Sequence, residues 1–212
     1  VQKLTGGLGQ LSKQRKITYI QGRASFADAK TLRIDLASGG QDTLTFEHAI
    51  IATGSRPATV PGLSIDSPRV MDSTGALGLP DVPKSLLVVG GGYIGLEMGS
   101  VYAALGSKVT VVEMTPGLLP GADRDLVTIL ARRMEQVLTR VLLGTRVVGM
   151  TDAGTGVKVR FEGEALPVAD REQTFDRVLV SVGRKPNSAI AGLEKTGVVV
   201  GDRGFIQVDR AM

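Results

Sequence analysis

The chain has 212 residues, no cysteine, and a formal net charge of +4 at pH 7. Its composition, 42% hydrophobic and 22% charged, is typical of a globular protein with one large or two small domains. The lack of cysteine excludes disulfides, thiolate metal sites and cysteine redox chemistry within these residues, and the dispersed positive charge offers no basic stripe to a nucleic acid.

We also expect neither a signal peptide nor a membrane span. No apolar run reaches the length of a membrane span, and no signal peptide opens the chain. We therefore expect a cytoplasmic protein with no membrane and no nucleic-acid partner. Because the chain begins with Val1 and not with methionine, we also expect it to be a piece of a longer protein.

The first eighty residues show short β-type patterns and loops. The end of a helix is predicted over residues 1–16, and strand-like alternation then occurs in three runs, at residues 17–26, 31–36 and 42–46, with a hairpin turn at 37–41. A short buried strand is predicted at 49–54 and a loop at 55–57. The proline-rich residues 57–83 are predicted to be a connecting segment. His48, the one histidine, has no His or Cys companion, so we interpret it as a surface or strand-entry residue and expect no metal site.

From about residue 84 the pattern changes to strands alternating with helices. Apolar runs predict strands at 86–90, 108–113, 140–143 and 177–183, with a β-rich stretch at 145–180. Helices are predicted at 93–105 and 123–137, and their apolar faces are expected to be Ile94, Met98, Val101, Tyr102 and Leu105 in the first and Leu126, Leu130 and Met134 in the second. Strands that alternate with helices imply right-handed crossovers and a parallel sheet, hence an α/β fold.

The most informative motif lies between the strand at 86–90 and the helix that follows it. Residues 90–95 read Gly-Gly-Gly-Tyr-Ile-Gly, the pattern GxGxxG. Gly90 permits a sharp turn, Gly92 lets the backbone approach a pyrophosphate, and Gly95 lets the helix lie close to the sheet. The free N–H groups at the start of the helix then face the phosphates. In this setting the motif predicts a dinucleotide-binding Rossmann unit.

Glu113 ends the next strand, where a carboxylate can accept hydrogen bonds from the hydroxyls of the adenosine ribose. Met114, Thr115 and Pro116 follow it, so no nearby cation is available for a 2′-phosphate. The pattern favours NAD over NADP. The alternative is that the glycine turn is only a tight connection and that Glu113 is a solvated strand end.

Three strand-end signatures, residues 51–57, 90–97 and 182–187, resemble in their order the pyridine nucleotide–disulfide oxidoreductases. Four further runs are most similar to the bacterial dihydrolipoamide dehydrogenase branch of that family, at residues 4–8, 71–74, 105–108 and 202–209. Glutathione reductase, mercuric reductase and soluble transhydrogenase are relatives with which it could be confused.

The resemblance implies a Rossmann-like NAD domain, with a parallel sheet and a β-meander, plus part of an FAD domain. On this view residues 1–80 are a partial FAD-binding domain and linker, 81–199 are the NAD-binding domain, and 200–212 begin the return to the FAD domain. The family's N-terminal FAD glycine motif, redox cysteine pair and His–Glu base are missing from the sequence. We therefore expect a central fragment that binds nucleotide and has no catalytic residues of its own.

The resemblance also suggests roles for individual residues near the nicotinamide. Gly90, Gly91, Gly92 and Gly95 would form the pyrophosphate turn, and Glu113 would bind the ribose. Ile94 would lie between nicotinamide and flavin, Tyr93 would be a gating aromatic residue, and Glu97 would lie near the nicotinamide; a solvated carboxylate is the alternative for Glu97.

The remaining assignments concern the adenine and the flavin. Val147 resembles a residue that packs near adenine, although a core valine would look the same. The backbone of Gly183 would approach the NAD. Thr53, Gly54 and Arg184 resemble flavin contacts, and the alternative for Arg184 is a surface arginine in a turn.

In the intact family enzyme, dihydrolipoamide would reduce a protein disulfide, and the electrons would pass through FAD to NAD. The implied partners are NAD(H), a homodimer mate and the lipoyl-bearing subunits of a dehydrogenase complex. Another flavoenzyme of the family, such as glutathione or mercuric reductase or an NADH oxidase, is one alternative. A stand-alone nucleotide-binding module is another.

Overall fold

A computed structural model describes residues 2–79, 81–164 and 166–212. The chain divides into two compact units, one formed by Val1–Gly54 with Pro186–Met212 and the other by Ser55–Lys185. The predicted mixed α/β architecture is confirmed. The boundaries of the units differ from the domain limits inferred from the sequence, so the division into FAD-binding and NAD-binding domains stays a prediction.

The first unit contains a helix and an antiparallel three-stranded sheet. Its elements are α1 (Gln2–Gln14), β1 (Gly22–Asp28), β2 (Thr31–Leu36) and β3 (Gln41–Thr45). Phe26, Ile34 and Leu193 are its buried apolar residues, and the ring of Phe26 meets that of Phe46 edge-on at 6.3 Å between centroids. The predicted hairpin is confirmed because β2 and β3 pair across the turn. Its glycines, Gly39 and Gly40, have φ angles of 91° and 83°, which suit a tight reversal.

Two predictions for this unit are wrong. The strand predicted at 17–26 begins only at Gly22, the first residue that pairs with β2. The buried strand predicted at 49–54 is not a strand, and Ile50 in it is 95% exposed. An apolar run becomes a buried strand only when neighbouring strands satisfy its backbone groups, and among the described residues none pairs with 49–54.

Hydrogen exchange will distinguish these regions. We expect the amides of residues 49–54 to exchange orders of magnitude faster than those of Leu86–Val89, which are fully enclosed in a sheet. Mass spectrometry or NMR of the chain in D₂O measures both in one sample. Equal protection would show that residues 49–54 are paired after all.

The second unit is built on a five-stranded parallel sheet in the order β5-β12-β6-β7-β8. Its strands are β5 (Val70–Met71), β6 (Ser85–Val89), β7 (Lys108–Val112), β8 (Arg140–Leu142) and β12 (Arg177–Val180). The helices are α2 (Ser73–Leu77), α3 (Tyr93–Ala104) and α4 (Arg124–Val137). The parallel sheet predicted from the alternation is confirmed.

The other strands of this region form two small sheets. An antiparallel sheet contains β9 (Thr145–Asp152), β10 (Val157–Gly163) and β11 (Glu172–Phe175). A two-stranded sheet pairs β4 (Ser55–Pro57) with β13 (Arg184–Pro186). The predicted loop at 55–57 is therefore a short strand, and the predicted connector contains β5 and α2, which the proline-rich composition obscured.

Alternate side chains of the parallel sheet enter two hydrophobic cores. Leu86 and Val88 of β6 belong to the cluster that contains residues of α2, α3 and α4. Leu87 and Val89 belong to the cluster that contains residues of β9, β10 and β11. Because both faces are covered, the strands are apolar throughout, as the sequence indicated. The result is three layers: helices, parallel sheet and antiparallel sheet.

The faces that the two helices bury agree only in part with those predicted: Tyr102 and Met134 are buried as expected. Helix α3 buries Gly95, Leu96, Gly99 and Tyr102, whereas Val101 and Leu105 are each 47% exposed. The small residues Gly95 and Gly99 allow close approach to the sheet and so rotate the helix toward them. Helix α4 buries Val127 and Met134 and leaves Leu126 exposed, so the prediction for Leu126 is wrong.

An ion pair ties the start of β12 to the segment before β6. Asp81 Oδ1 lies 2.6 Å from Nε of Arg177, and this hydrogen bond lowers the pKa of Asp81 below its ordinary 3.8. A lowered pKa stabilises the fold above the ordinary value, and the stabilisation is lost as the pH falls through the folded-state pKa.

We expect Asp81→Asn to lower the Tm at pH 7 by about 1–3 °C, a modest effect because the side chain is half exposed. The difference from wild type should shrink as the pH falls from 7 toward 3. Thermal melts across this range measure it, with the exposed Asp66→Asn as control. A constant difference would mean that the ion pair is not its source.

Candidate nucleotide-binding site

The turn from β6 into α3 is shaped by Gly90. Its φ of 111° is in the region that favours glycine, and its N–H donates to the carbonyl of Val112 at 2.9 Å. A Cβ built on Gly90 would lie 2.5 Å from the carbonyl oxygen of Ser181. Any other residue would thus be strained at position 90, and its Cβ would collide with the backbone of Ser181, the residue after β12.

Gly91 and Gly95 are closely packed beneath the turn. A Cβ on Gly91 would lie 2.7 Å from Cδ2 of Leu118 and 3.0 Å from Cβ of Glu113. A Cβ on Gly95 would overlap the carbonyl oxygen of Gly90 and approach Cγ1 of Val88 at 3.0 Å. These two glycines set how closely the helix and the loop pack, and neither lines the open cleft described below.

Gly92 differs from its neighbours because it faces open space. It is the N-cap of α3, its φ is an ordinary −78°, and a Cβ there would meet nothing within 4 Å. The first-turn N–H groups of a helix have no carbonyl partner within the helix, and they carry its positive end. The space beside Gly92 therefore has room for a ligand and lies next to the backbone N–H groups of the first turn of α3.

A cleft of about 690 Å³ opens at the carboxyl ends of β6, β7 and β12, and all of its lining residues belong to the second unit. Of the residues singled out from the sequence, eight line it: Gly90, Gly92, Tyr93, Ile94, Glu113, Val147, Gly183 and Arg184. In open parallel sheets, ligands bind in such a crevice outside the carboxyl ends of the strands.

Two of the eight, Tyr93 and Gly183, illustrate how the cleft is made. Tyr93 is 62% exposed at the first position of α3 and forms part of the cleft wall. Gly183 has a φ of 114° with nothing within 4 Å of a Cβ position, and its carbonyl accepts from the N–H of Ala58 at 3.0 Å. A ligand can therefore approach the backbone of Gly183 closely.

The remaining predicted residues lie elsewhere. Glu97 is exposed on α3 and is not among the residues that line the cleft. Thr53 and Gly54 belong to the first unit, where the hydroxyl of Thr53 donates to the carbonyl of Asn187 at 2.8 Å. Arg184, by contrast, lines the cleft and donates through Nε to the hydroxyl of Ser55 at 2.7 Å, so its guanidinium is held by the β4–β13 sheet.

Glu113 is the buried acid of the cleft, with only 8% of its surface exposed. Its Oε2 accepts from the N–H of Gly91 at 2.7 Å, and its Oε1 accepts from the N–H of Thr115 at 2.7 Å. These bonds tie the end of β7 to the glycine turn. A burial this deep is tolerated because both oxygens are hydrogen-bonded.

Thr115 and Arg146 are among the residues of this cleft that the sequence did not single out. Thr115 follows Glu113 by two residues, a spacing at which a hydroxyl can bond to a carboxylate, and this signal was available. Arg146 is distant in sequence, and β9 brings it to the cleft because the N–H of Thr145 donates to the carbonyl of Glu113 at 3.0 Å. Arg146 is paired with Glu162 at 2.6 Å.

A larger cleft of about 920 Å³ lies in the same unit and includes Arg56, Asp72 and Arg177. Loop residues of the segment before β6 form most of its wall. Its lining contains neither the N-terminus of α3 nor the glycine turn. The glycine turn and the start of α3 thus lie only at the smaller of these two clefts.

Within residues 2–79, 81–164 and 166–212, no helix is both long and apolar enough to cross a membrane. The same residues contain no group of three or more His, Cys, Asp or Glu side chains that could hold a metal ion. The described cleft offers backbone N–H groups, the carboxylate of Glu113, the guanidinium groups of Arg146 and Arg184, and apolar walls, a set that fits a dinucleotide.

The sequence profile of the pyridine nucleotide-disulphide oxidoreductases matches residues 1–212. Dihydrolipoyl dehydrogenase from Haemophilus influenzae is 46% identical over 212 residues, 100% of this chain and 44% of the relative. Leghemoglobin reductase from Vigna unguiculata is 42% identical over 201 residues, 93% of this chain and 38% of that protein. The chain spans less than half the length of these relatives.

Two solved structures are similar to the fold. A variant of the HOCl-induced flavoprotein disulfide reductase RclA from Escherichia coli, solved as a Cu(II) complex, has a TM-score of 0.81 at 31% identity, covering 97% of this chain and 45% of that one. LpdA from Mycobacterium tuberculosis has a TM-score of 0.74 at 26% identity, covering 90% of this chain and 41% of that one.

Proposed function

Because this chain belongs to the pyridine nucleotide-disulphide oxidoreductase family, we propose that it is the NAD-binding portion of a flavin-dependent dihydrolipoyl dehydrogenase. The observation that carries the proposal is the combination, in one cleft, of the open Gly92 position at the N-terminus of α3 and the buried carboxylate of Glu113. The first suits a pyrophosphate and the second suits a ribose hydroxyl. The identity to dihydrolipoyl dehydrogenases over the whole chain supports the substrate.

In this proposal the residues of the cleft bind and orient the nucleotide. The first-turn N–H groups of α3 hold the pyrophosphate, Glu113 accepts from the ribose, and Val147 packs near the adenine. Tyr93 and Ile94 lie at the nicotinamide end. NAD supplies the hydride acceptor when bound, and FAD is the proposed second cofactor, with Thr53, Gly54 and Arg184 as candidate contacts.

The proposed partners belong to the whole protein. They are NAD(H), a second copy of the protein in a homodimer, and the lipoyl-bearing subunits of a dehydrogenase complex, in the cytoplasm. A disulfide reductase with another substrate is the second candidate function, favoured by the fold's similarity to RclA. Comparing dihydrolipoamide with other disulfide substrates in the full-length enzyme separates the two.

Titration of the 212-residue chain with NADH, followed by nicotinamide fluorescence or calorimetry, tests the nucleotide half of the proposal. We expect saturable binding with 1:1 stoichiometry. A chain that binds neither NADH nor NAD at millimolar concentrations would contradict it.

A second prediction concerns catalysis by the 212-residue chain. Given dihydrolipoamide, NAD and added FAD, the 212-residue chain should form no NADH, because it has no cysteine to accept electrons from a dithiol. Absorbance at 340 nm measures NADH formation, and an intact dihydrolipoyl dehydrogenase is the positive control. Turnover by the chain itself would show that electrons reach NAD without a protein thiol.

A further inference from the structure

The carboxylate of Glu113 is held by protein donors on both of its oxygens before any ligand arrives. Gly91 N–H bonds to Oε2, and Thr115 N–H bonds to Oε1, each at 2.7 Å. The hydroxyl of Thr115 lies 2.9 Å from the same Oε1. Fixing a recognition group in its bound orientation reduces the entropy lost on binding.

The Thr115 hydroxyl has a choice of two acceptors. Its Oγ1 lies 2.9 Å from Oε1 of Glu113 and 2.8 Å from the carbonyl oxygen of Gly117. A hydroxyl has one proton, so it can donate fully to only one of them at a time. Rotation about a single bond therefore moves the proton between the carboxylate and the loop carbonyl.

This choice has a consequence for the cleft, which both Thr115 and Glu113 line. While the cleft is empty, the hydroxyl can donate to Glu113. A ribose hydroxyl can then donate to Oε2, which accepts from the N–H of Gly91, while the Thr115 hydroxyl keeps its bond to Oε1. Both oxygens of the carboxylate stay paired, which avoids the cost of a buried polar group without a partner.

We propose that Thr115 is a positioning residue that sets the preference for a nucleotide with a free ribose 2′-hydroxyl over one with a 2′-phosphate. This inference rests on the proposed function of the cleft. The hydroxyl of Thr115 orients Glu113 to accept from the 2′-hydroxyl. A 2′-phosphate has no such proton to donate and brings negative charge to the carboxylate, so it gains nothing from the arrangement.

The test compares Thr115→Val with Thr115→Ser. Valine keeps the shape and the backbone N–H of residue 115 but removes the hydroxyl, and serine keeps the hydroxyl. Thr128→Val is the control, because the hydroxyl of Thr128 donates only to the carbonyl of Arg124 on α4. For each variant we measure the Kd of NADH, NADPH and 2′-deoxy-NADH by nicotinamide fluorescence, and the Tm.

We expect Thr115→Val to weaken NADH about fivefold and to change NADPH and 2′-deoxy-NADH by less than about twofold, the scale of one net hydrogen bond. Thr115→Ser and Thr128→Val should both keep the wild-type preference. The loss is selective because only NADH donates a 2′-hydroxyl to Glu113.

Two results would overturn the inference. An unchanged NADH affinity in Thr115→Val would show that the hydroxyl does not position Glu113. An equal loss for all three nucleotides, with a lower Tm, would assign Thr115 a purely structural role. A wild-type chain that binds no NADH would instead contradict the proposed function, and this inference would fall with it.

Discussion

Gly92→Val should weaken NADH binding by at least about 100-fold while leaving the fold intact. Gly92 has an ordinary backbone conformation, and a side chain there would extend into open space. The protein itself therefore tolerates valine at this position. The added methyl groups would occupy the space through which a pyrophosphate reaches the N-terminal N–H groups of α3.

The measurement pairs an NADH titration with a thermal melt. Gly99→Ala is the matched control, because Gly99 lies in the same helix and a Cβ there would make an ordinary contact of 3.5 Å with Val109. We expect Gly99→Ala to bind NADH as wild type does. If Gly92→Val also binds normally, the nucleotide does not lie at the turn.

The second large effect concerns cofactor choice. Wild type should bind NADH at least about tenfold more tightly than NADPH, and Glu113→Gln should reduce this preference to about parity. The variant removes the negative charge that repels a 2′-phosphate. It also replaces one acceptor oxygen with an NH₂ group, which conflicts with the N–H donors of Gly91 or Thr115.

Parallel titrations of both nucleotides measure this preference. Glu135→Gln on α4 serves as the control because that side chain is exposed and does not line the cleft. Some loss of Tm is expected in Glu113→Gln, since a buried donor loses its partner. Equal affinities of the wild-type chain for NADH and NADPH would contradict the role given to Glu113.

Arg146 brings to the cleft a positive charge that could not be predicted from the sequence. The stretch after Glu113 contains no cation, but the fold brings Arg146 to the same cleft from β9. Its ion pair with Glu162 partly neutralises it. The carboxylate of Glu113 is therefore expected to dominate the choice of nucleotide.

The β6–α3–β7 region could be predicted from the sequence because its signals are local. The apolar run, the glycine turn and Glu113 lie within a stretch of under thirty residues, and each depends on its neighbours along the chain. The structure brings them to one cleft, although Glu97 lies outside it.

Predictions failed where the outcome depended on distant contacts. Residues 49–54 have the composition of a buried strand, but a strand forms only with a partner ladder. In α3, the apolar pattern suggested one face, and the close approach allowed by Gly95 and Gly99 selected another. Thr115 was missed, although its spacing from Glu113 allows the contact, because a threonine after a strand is common.

An NMR titration of the ¹⁵N-labelled chain with NADH tests whether the nucleotide binds at the glycine turn, since it locates the ligand without any mutation. We predict that the largest shift changes occur at the amides of Gly90–Ile94 and of Glu113–Thr115. Changes concentrated instead around Arg56 and Asp72, in the larger cleft, would contradict the assignment of the nucleotide to the glycine turn.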